Sequence, residues 1–246
     1  MFNIRATSLG SFISCPLKFH LDKNKVWKES NALDIGKIVH LSRQSPLLAL
    51  DFLDRLAQKG NLDARELVDT KKMIEVMANI NKEIPDNFEI AFEVDLQHKF
   101  TLNGWQIECL FTGHPDEIRI NKETKKIEKI FDTKTSGVVS AWKEGKMLDY
   151  AKQHIYYPYL LSKCSNIWET VEFTYRVAPK KFFSADEIFN LTMKINVAEA
   201  IKETEDHIKK YLNYELNGEY NHNENVQCYW CDHKKDCPKN SLLSNF

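Results

Sequence analysis

The sequence predicts a mixed α/β or α+β fold. Helical patterns come first, short strand patterns follow, and the chain then continues as helix, strand and helix, an order typical of that class. The composition, 43% hydrophobic and 28% charged over 246 residues, is an ordinary globular balance that excludes a disordered or collagen-like chain. One large domain is the default at this length, so we expect a single domain over residues 1–246.

The N-terminal third has the apolar spacing of helices. Residues 8–20 are predicted to form a short helix whose later part is disturbed by Pro16. Apolar residues at helical spacing continue through residues 32–84. With their flanks, these residues are predicted to form a helical insertion over residues 31–87.

The centre of the chain is rich in strand patterns. Residues 88–96 alternate partly between apolar and polar side chains, and Asn103-Gly104 is a strong hairpin-turn signal. The remaining predicted elements are strands at residues 105–111, 117–120, 127–131 and 169–177, a helix at residues 141–162, and one long helix or two at residues 185–216.

The net charge of −1, from 34 Lys+Arg against 35 Asp+Glu, removes the simplest argument for a nucleic-acid partner. A local basic groove remains compatible, because the local field attracts phosphate. The first eight residues lack a continuous apolar segment, and no stretch approaches the roughly 20 apolar residues of a membrane span. We therefore expect no secretory signal, no membrane partner and a cytoplasmic location (the host cytoplasm if the protein is viral).

The predicted strand at residues 127–131 leads into Asp132-x-Lys134. Strand side chains alternate, so this acid and this lysine point to the same face. Such a pair suits metal-dependent phosphodiester hydrolysis, in which the carboxylate holds Mg²⁺ or Mn²⁺ and the ammonium orients or activates the attacking water. Gly113-x-x-Asp116 supplies a second oxygen ligand. In isolation, the pair also fits a surface strand end.

The pattern Asp69-x-Lys71 matches the same template. It follows Asp63 by only six residues and lies in helical periodicity, where a strand, a turn and a second strand do not fit. Asp116 and Asp132 are 16 residues apart, enough for two short strands and a turn. We therefore interpret residues 63–71 as a solvated helix face.

Two further motifs can contribute to such a site. Gly36-x-x-x-His40 places a histidine on a helix predicted to start after the glycine; histidine is a common metal ligand, although a lone one more often packs or faces solvent. Gln153-x-x-x-Tyr157 places an amide and a phenol on one helix face. These two groups can contact a phosphate or a base, orient the lysine, or be structural.

Three thiols are close together near the C-terminus, in Cys228-x-x-Cys231-x₅-Cys237. Three soft ligands within ten positions indicate a metal site, and Cys15 is the candidate for the fourth ligand. Four thiolates can hold Zn²⁺ or a [4Fe–4S] cluster, because soft ligands suit both.

Histidines near these thiols, and the thiols themselves, leave alternatives to a four-cysteine metal site open. His222 and His233 are compatible with a mixed zinc site, and three unligated thiols are the remaining alternative. Cys109 and Cys164 are predicted core residues, since cysteine often serves as a small apolar side chain. In a cytosolic chain the thiols are expected to stay reduced.

Together and in order, these motifs resemble those of the PD-(D/E)XK nuclease superfamily. The resemblance is to its iron–sulfur branch of RecB-type exonucleases, which includes CRISPR-associated and virus-encoded RecB-like enzymes and the AddB nuclease module. It covers about residues 7–238 and implies a restriction-endonuclease-like core, a central mixed sheet flanked by helices. The motifs that carry it are Thr7-Ser-Leu-Gly-Ser-Phe-Ile-Ser-Cys15-Pro, Gly36-x-x-x-His40, Gly113-x-x-Asp116, Asp132-x-Lys134, Gln153-x-x-x-Tyr157 and Cys228-x-x-Cys231-x₅-Cys237.

The resemblance also implies roles for individual residues. The implied ligands of a catalytic Mg²⁺ or Mn²⁺ are His40, Asp116, Asp132 and the backbone carbonyl of Thr133. The implied catalytic residues are Lys134, Asp116 and Asp132, and the implied DNA-binding residues are Gln153 and Tyr157. The implied ligands of a [4Fe–4S] cluster, with Zn²⁺ as the alternative, are Cys15, Cys228, Cys231 and Cys237. The cluster would join residues 1–30 to residues 217–246.

Many relatives carry Glu where this chain has Asp132, a change that keeps the charge on a shorter side chain. Glu93, in the strand before the hairpin, is a candidate supporting acid that we leave outside the predicted set.

The function implied by the resemblance is a metal-dependent DNA exonuclease that acts at DNA ends or in single strands, with endonuclease activity left open. The alternative is an inactive DNA-binding or scaffold protein with a structural zinc or iron–sulfur site. Protein partners in recombination, CRISPR adaptation or viral replication are also left open. Candidate contacts for bases and phosphates are Tyr157, Tyr229, Trp230, Lys180 and Lys181.

Overall fold

The computed structural model describes most of the chain. The described residues are 1–25, 31–80, 84–102, 107–179, 184–218, 220–225, 228 and 231–238, without the side chains of residues 32 and 102. The predictions for Asn103-Gly104, Lys180, Lys181, Tyr229 and Trp230 lie outside the described residues.

The described part contains eight strands and eight α-helices. The strands are β1 (Phe2–Arg5), β2 (Phe88–Phe92), β3 (Leu96–Leu102), β4 (Ile107–Gly113), β5 (Glu117–Asn121), β6 (Ile127–Ser136), β7 (Ile167–Pro179) and β8 (Phe189–Asn196). The helices are α1 (Ala6–Ser14), α2 (Pro16–Asp22), α3 (Asn31–Gln44), α4 (Pro46–Gln58), α5 (Ala64–Asn79), α6 (Val139–Lys143), α7 (Gln153–Cys164) and α8 (Val197–Asn217).

The strands form two sheets. The larger sheet has the order β2-β5-β6-β7-β8, in which β6 and β7 are parallel and the other neighbours are antiparallel. The smaller sheet has the order β1-β4-β3, with β1 parallel to β4. Helices α7 and α8 pack on β7, while α3 contacts β6. The predicted α/β fold with a central mixed sheet flanked by helices is confirmed.

The main core lies between the sheets and helices α1, α7 and α8. Phe12, Phe111, Phe173 and Leu212 are all buried there. Helix α7 is buried on every side from residue 155 to residue 161, so its position is fixed by packing rather than by one apolar stripe. This fixed helix carries Tyr157 and Gln153.

Helices α3, α4 and α5 share a smaller core, and helical structure is found within the predicted insertion. Asp63 begins α5 with a capping box: its carboxylate accepts from the backbone N–H of Glu66 at 2.7 Å, and the Glu66 carboxylate accepts from the N–H of Asp63 at 3.0 Å. Asp69 and Lys71 lie on the same helix, and Lys71 is exposed. The interpretation of residues 63–71 as a helix face is confirmed.

Three predicted helices have different bounds. The N-terminal helix is interrupted, because Cys15 is extended and α2 starts anew at Pro16, which is favourable in a first helical turn. The prediction at 141–162 was wrong in the middle, where a short 3₁₀ turn (Lys146–Asp149) separates α6 from α7. The prediction at 185–216 was wrong for β8, whose burial alternates with the period of two of a strand.

Among the described residues, no helix combines the length and the apolar character that a membrane crossing requires.

Candidate active site

A cavity of about 520 Å³ is lined by residues of α3, α7, β3, β4 and β6 and by the start of α1. Five of the residues singled out in the sequence line it, namely His40, Asp116, Asp132, Lys134 and Tyr157. They come from four separate stretches of the chain, so the fold has brought together motifs that the sequence only places in order.

The strand register explains why the two aspartates are adjacent. β5 and β6 pair antiparallel with Glu117 opposite Phe131. Continuing this register by one residue puts Asp116 opposite Asp132, on neighbouring strands only about 5 Å apart. The predicted two strands and a turn between the aspartates are confirmed.

Asp132 and Lys134 share one face of β6, as their spacing predicts. The Lys134 ammonium lies 2.6 Å from the Asp132 carboxylate, and Asp132 is only 2% exposed. The interpretation as a surface strand end is therefore wrong. Burial raises the pKa of Asp132 to about 6, with Lys134 opposing this shift and Asp116 adding to it. Burial lowers the pKa of Lys134, but the charges of Asp132 and Asp116 outweigh burial and raise it overall.

His40 reaches the aspartates from α3. Its Nδ1 lies 3.2 Å from Oδ2 of Asp116. Burial lowers the pKa of His40, but the hydrogen bond and charge of Asp116 outweigh burial and raise it overall. The prediction that the helix starts after Gly36 was wrong, because α3 starts at Asn31. Gly36 lies inside the helix, where a Cβ would sit only 3.3 Å from the Thr135 hydroxyl, so the glycine permits α3 to approach β6 closely.

Asp116 is held as an ionised acceptor. Its Oδ2 faces His40 and accepts the backbone N–H of Thr133. Burial raises the pKa of Asp116, but its hydrogen bond to His40, the charges of His40 and Lys134 and the Thr133 N–H outweigh burial and lower it overall. Thr133 itself is buried. The role of its backbone carbonyl stays a prediction.

Glu93, left outside the predicted set, lies beside this group. One ligand atom each from His40, Glu93 and Asp116 fall within 4.8 Å of one another. Glu93 follows β2 with a φ of +48°, a conformation that non-glycine residues seldom adopt, and its N–H donates to the carbonyl of Asp116 at 3.1 Å. Burial of its carboxylate and the charge of Asp116 raise its pKa. The sequence places Glu93 in the strand before the hairpin, whereas β2 ends at Phe92 and Glu93 directly follows it.

Only one of the two predicted DNA-binding residues lines the cavity. Tyr157 lines the cavity and is 3% exposed. Gln153 is not among the cavity-lining residues; it is buried, and its side-chain oxygen accepts the Tyr175 hydroxyl at 3.4 Å. Tyr175 is the register neighbour of Asp132 on β7, so Gln153 supports the strands behind the aspartate. DNA contacts of both residues stay predictions.

The N- and C-terminal cysteine segments meet. Cys15 lies at the break between α1 and α2, and the preceding Ser14 accepts two hydrogen bonds from the Asn225 amide, at 2.8 Å to its carbonyl and 3.1 Å to its hydroxyl. The backbone N–H of Asn225 in turn donates to the Cys228 sulfur at 3.5 Å. The segments that carry Cys15 and Cys228 are therefore in contact.

The sulfurs of the described cysteines are not at the spacing of a closed zinc site. Within the described part of the chain, no three thiol sulfurs lie within 4.8 Å of one another, whereas tetrahedral zinc with bonds of about 2.3 Å spaces its sulfurs about 3.8 Å apart. His233, a candidate for a mixed site, has its Nε2 2.8 Å from the Asp22 carboxylate. All six cysteines lie in the described part and are free thiols.

The prediction of two core cysteines was half correct. Cys109 on β4 is buried, as predicted. Cys164 is exposed at the end of α7, where its thiol donates to the Gln97 carbonyl at 3.2 Å, so its prediction as a core residue was wrong. The sequence shows that the helix ends near this residue, but it does not show which side of the end faces solvent.

This geometry suits a reaction of an anionic group that is assisted by a bound cation. Several carboxylates and an imidazole surround one space, and hard divalent ions prefer such oxygen-rich sets. A buried ammonium lies beside them and can offset negative charge on a phosphate. The fold around the site is a mixed sheet in which Asp132 on β6 and Asp116, directly before β5, are neighbours.

The sequence model of the PD-(D/E)XK nuclease superfamily matches residues 4–238. The chain belongs to this superfamily, and its members' chemistry indicates a nuclease. Assignment to the iron–sulfur RecB-like branch stays a prediction. Among curated proteins, none matches the chain.

Two solved structures resemble the fold. One, the crystal structure of a "Putative exonuclease" from Eubacterium rectale, is 16% identical, with a TM-score of 0.50 over 94% of this chain and 87% of that one. The other, the crystal structure of SSO0001, is 16% identical, with a TM-score of 0.45 over 98% of this chain and 87% of that one. At such identity, the first likeness shows the fold alone.

Proposed function

We propose that the protein is a metal-dependent DNA exonuclease. The observation that carries the proposal is the convergence of His40, Asp116, Asp132 and Lys134 in one cavity of a PD-(D/E)XK chain. The other Asp-x-Lys pair of the chain, Asp69 and Lys71, lies on α5, and neither residue lines the cavity. The convergence is therefore specific to Asp132 and Lys134.

The residues present fit a divalent cation. His40, Asp116 and Glu93 already offer ligand atoms within 4.8 Å of one another, and Asp132 lies on the strand next to Asp116. The proposed ligands of Mg²⁺ or Mn²⁺ are His40, Asp116, Asp132 and the carbonyl of Thr133, with Glu93 as a supporting acid. When bound, such an ion polarises the scissile phosphate and lowers the pKa of the attacking water.

Lys134 would act as a charged group rather than as a base. Its raised pKa keeps the ammonium protonated at neutral pH, so it cannot accept a proton there. It can instead donate to a phosphate oxygen or orient the attacking water. Asp132, 2.6 Å away, fixes the direction of the ammonium.

The rim of the cavity supports a polyanionic substrate. Arg5 and His114 line the cavity from the side of the smaller sheet, and both are exposed. The guanidinium of Arg5 is a cation, and a cation near a phosphate-cleaving centre attracts the backbone of DNA. Tyr157 offers a ring at the cavity wall.

The test compares linear with covalently closed circular single-stranded DNA, each incubated with Mn²⁺ or with chelator. An exonuclease degrades only the linear form, and only with Mn²⁺; cleavage of the circle would show endonuclease action. Asp132→Ala and Lys134→Ala should abolish degradation. Lys129→Ala, on the same strand but paired with Glu172, is the matched control and should keep it. Equal background cleavage by the wild type and both site variants would overturn the enzyme proposal and favour an inactive DNA-binding protein.

We also propose that Cys15, Cys228, Cys231 and Cys237 hold a structural [4Fe–4S] cluster. The contact between the Cys15 and Cys228 segments and the N–H of Asn225 directed at the Cys228 sulfur support this, because hydrogen bonds to sulfur are typical of such clusters. An anaerobic preparation should be brown, absorb at about 400 nm and contain iron. A colourless protein that contains zinc would overturn the cluster in favour of Zn²⁺.

A further inference from the structure

A buried charge cluster lies directly behind the candidate metal site. Glu117 is fully buried, and Arg43 on α3 donates to its Oε2 through Nε at 2.9 Å, with Nη2 of the same guanidinium 2.8 Å away in an ion pair. Arg119 donates to Oε1 at 2.9 Å, and Arg176 to Oε2 at 3.4 Å. One buried carboxylate therefore binds three guanidinium groups.

Stability alone does not explain this cluster. Arg43, Arg176 and Glu117 are all buried, and removing their charges from water is costly. Apolar residues of similar volume often give equal or greater stability than a buried ion pair. The cluster therefore calls for a role connected with its position.

Arg43 links the elements that carry two candidate ligands. It lies three residues after His40, so the two side chains are neighbours on α3. Its partner Glu117 directly follows Asp116 at the start of β5. The Arg43–Glu117 bond therefore fixes α3 against β5 where His40 faces Asp116.

The Arg43 guanidinium also reaches β2, the strand that ends directly before Glu93. Arg43 lies over the ring of Phe92, 5.9 Å from its centroid, and Phe92 directly precedes Glu93. One side chain thus touches the immediate surroundings of all three residues whose ligand atoms converge.

We propose that Arg43 is a positioning residue that holds His40, Glu93 and Asp116 in the arrangement a divalent cation requires. The inference rests on the proposed function, because it concerns the same metal site. A planar guanidinium with several fixed donors can hold two oxygen or ring partners at once, whereas an ammonium cannot reproduce that fork.

The test variant is Arg43→Met, which keeps the length of the side chain and removes the guanidinium. Glu117 then retains Arg119 and Arg176, so its carboxylate keeps two guanidinium partners. Arg43→Lys keeps the charge without the fork and carries the test if the methionine variant does not fold.

Two controls separate positioning from general effects. Arg55→Met makes the same change on α4, where the guanidinium pairs with Asp51 and lies 5.9 Å from the Phe52 ring centroid. Leu212→Ala empties part of the buried core on α8 and lowers the melting temperature without touching the site.

Calorimetric titration of the full chain with Mn²⁺ measures the site without reference to cleavage. We expect Arg43→Met and Arg43→Lys to bind Mn²⁺ about 10- to 100-fold more weakly, the usual effect of losing a group that orients metal ligands. Both controls should bind as the wild type does. Raising Mn²⁺ should restore DNA degradation by the Arg43 variants.

Unchanged Mn²⁺ affinity in the Arg43 variants would overturn the inference and leave the proposed function standing. The same loss in Leu212→Ala would also overturn it, because destabilisation would then suffice. A wild-type protein that binds no Mn²⁺ would remove the proposed metal site and this inference with it.

Discussion

Replacing Gly113 with alanine should destabilise the protein by crowding the wall of the site. A Cβ at this position would lie 2.7 Å from Cδ1 of Leu160 and 3.0 Å from Cε1 of Tyr157. Non-bonded carbons prefer about 3.5–4.0 Å, so the Leu160 methyl would have to move by about 1 Å. Both neighbours are buried on α7, which is buried on every side from residue 155 to residue 161, so they have no open space to move toward.

The expected cost is about 2 kcal/mol, the middle of the range for overpacking a dense core. For a chain of this size, that corresponds to a fall of about 4–8 °C in the melting temperature. Thermal unfolding followed by circular dichroism measures it. Gly137→Ala is the matched control, because a Cβ there meets nothing within 4 Å; its melting temperature should stay the same or rise slightly.

A double-mutant cycle with Leu160→Ala identifies the clash as the cause. Removing the Leu160 methyl groups should relieve the crowding. The double variant should therefore lose less unfolding free energy than the two single variants lose together, by about 1 kcal/mol or more. A Gly113→Ala protein as stable as the wild type, or additive effects in the cycle, would refute the reasoning.

Three further outcomes are expected. The Mn²⁺ affinity of the wild type should rise with increasing pH and should still be rising above about pH 6.5. Protons must first leave Asp132, whose pKa is about 6, and His40, whose pKa is raised. Calorimetry that finds equal affinity at about pH 5.5 and about pH 7.5 would contradict this. Asp63→Ala should lose about 1 kcal/mol of stability by removing a helix cap while DNA degradation stays unchanged, and a loss of activity in a folded variant would contradict the helix-face interpretation. Asn225→Ala removes the side-chain amide that joins the Cys228 segment to Ser14, so it should speed the loss of iron in air, measured as bleaching at about 400 nm; bleaching at the wild-type rate would show that this contact does not support the cluster.

The part of the site that the sequence predicts best is the part built from local structure. Asp132 and Lys134 lie on β6 and Asp116 directly precedes β5, the strand joined to β6 by one turn. The spacing of the two aspartates together with the alternation of β6 fixes their relation. The fold class follows for the same reason, since it depends on the order of periodic segments.

The contributions from distant segments are harder to predict. His40 reaches Asp116 only because α3 packs closely on β6 at Gly36, a tertiary contact without local signature. Glu93 depends on a left-handed backbone conformation that glutamate seldom adopts, so no propensity predicts it. The cluster around Glu117 joins α3, β5 and β7, and its arginines look like ordinary surface residues in the sequence.

The misassigned strand β8 has a different cause. Its apolar residues, Phe189, Leu191, Met193 and Ile195, alternate strictly, but they run directly into the amphipathic α8. A window that spans both averages the period of two with the period of 3.6. The division of the chain into a single domain with a helical insertion stays a prediction.

The most direct test of the central claim compares the two Asp-x-Lys pairs of the chain. The rate of Mn²⁺-dependent degradation of linear single-stranded DNA is measured for Asp132→Ala/Lys134→Ala and for Asp69→Ala/Lys71→Ala, with folding of both checked by circular dichroism. The account predicts that the first double variant has no activity above background and that the second degrades DNA at the wild-type rate. Activity that survives in the first, or disappears equally in both, would contradict it.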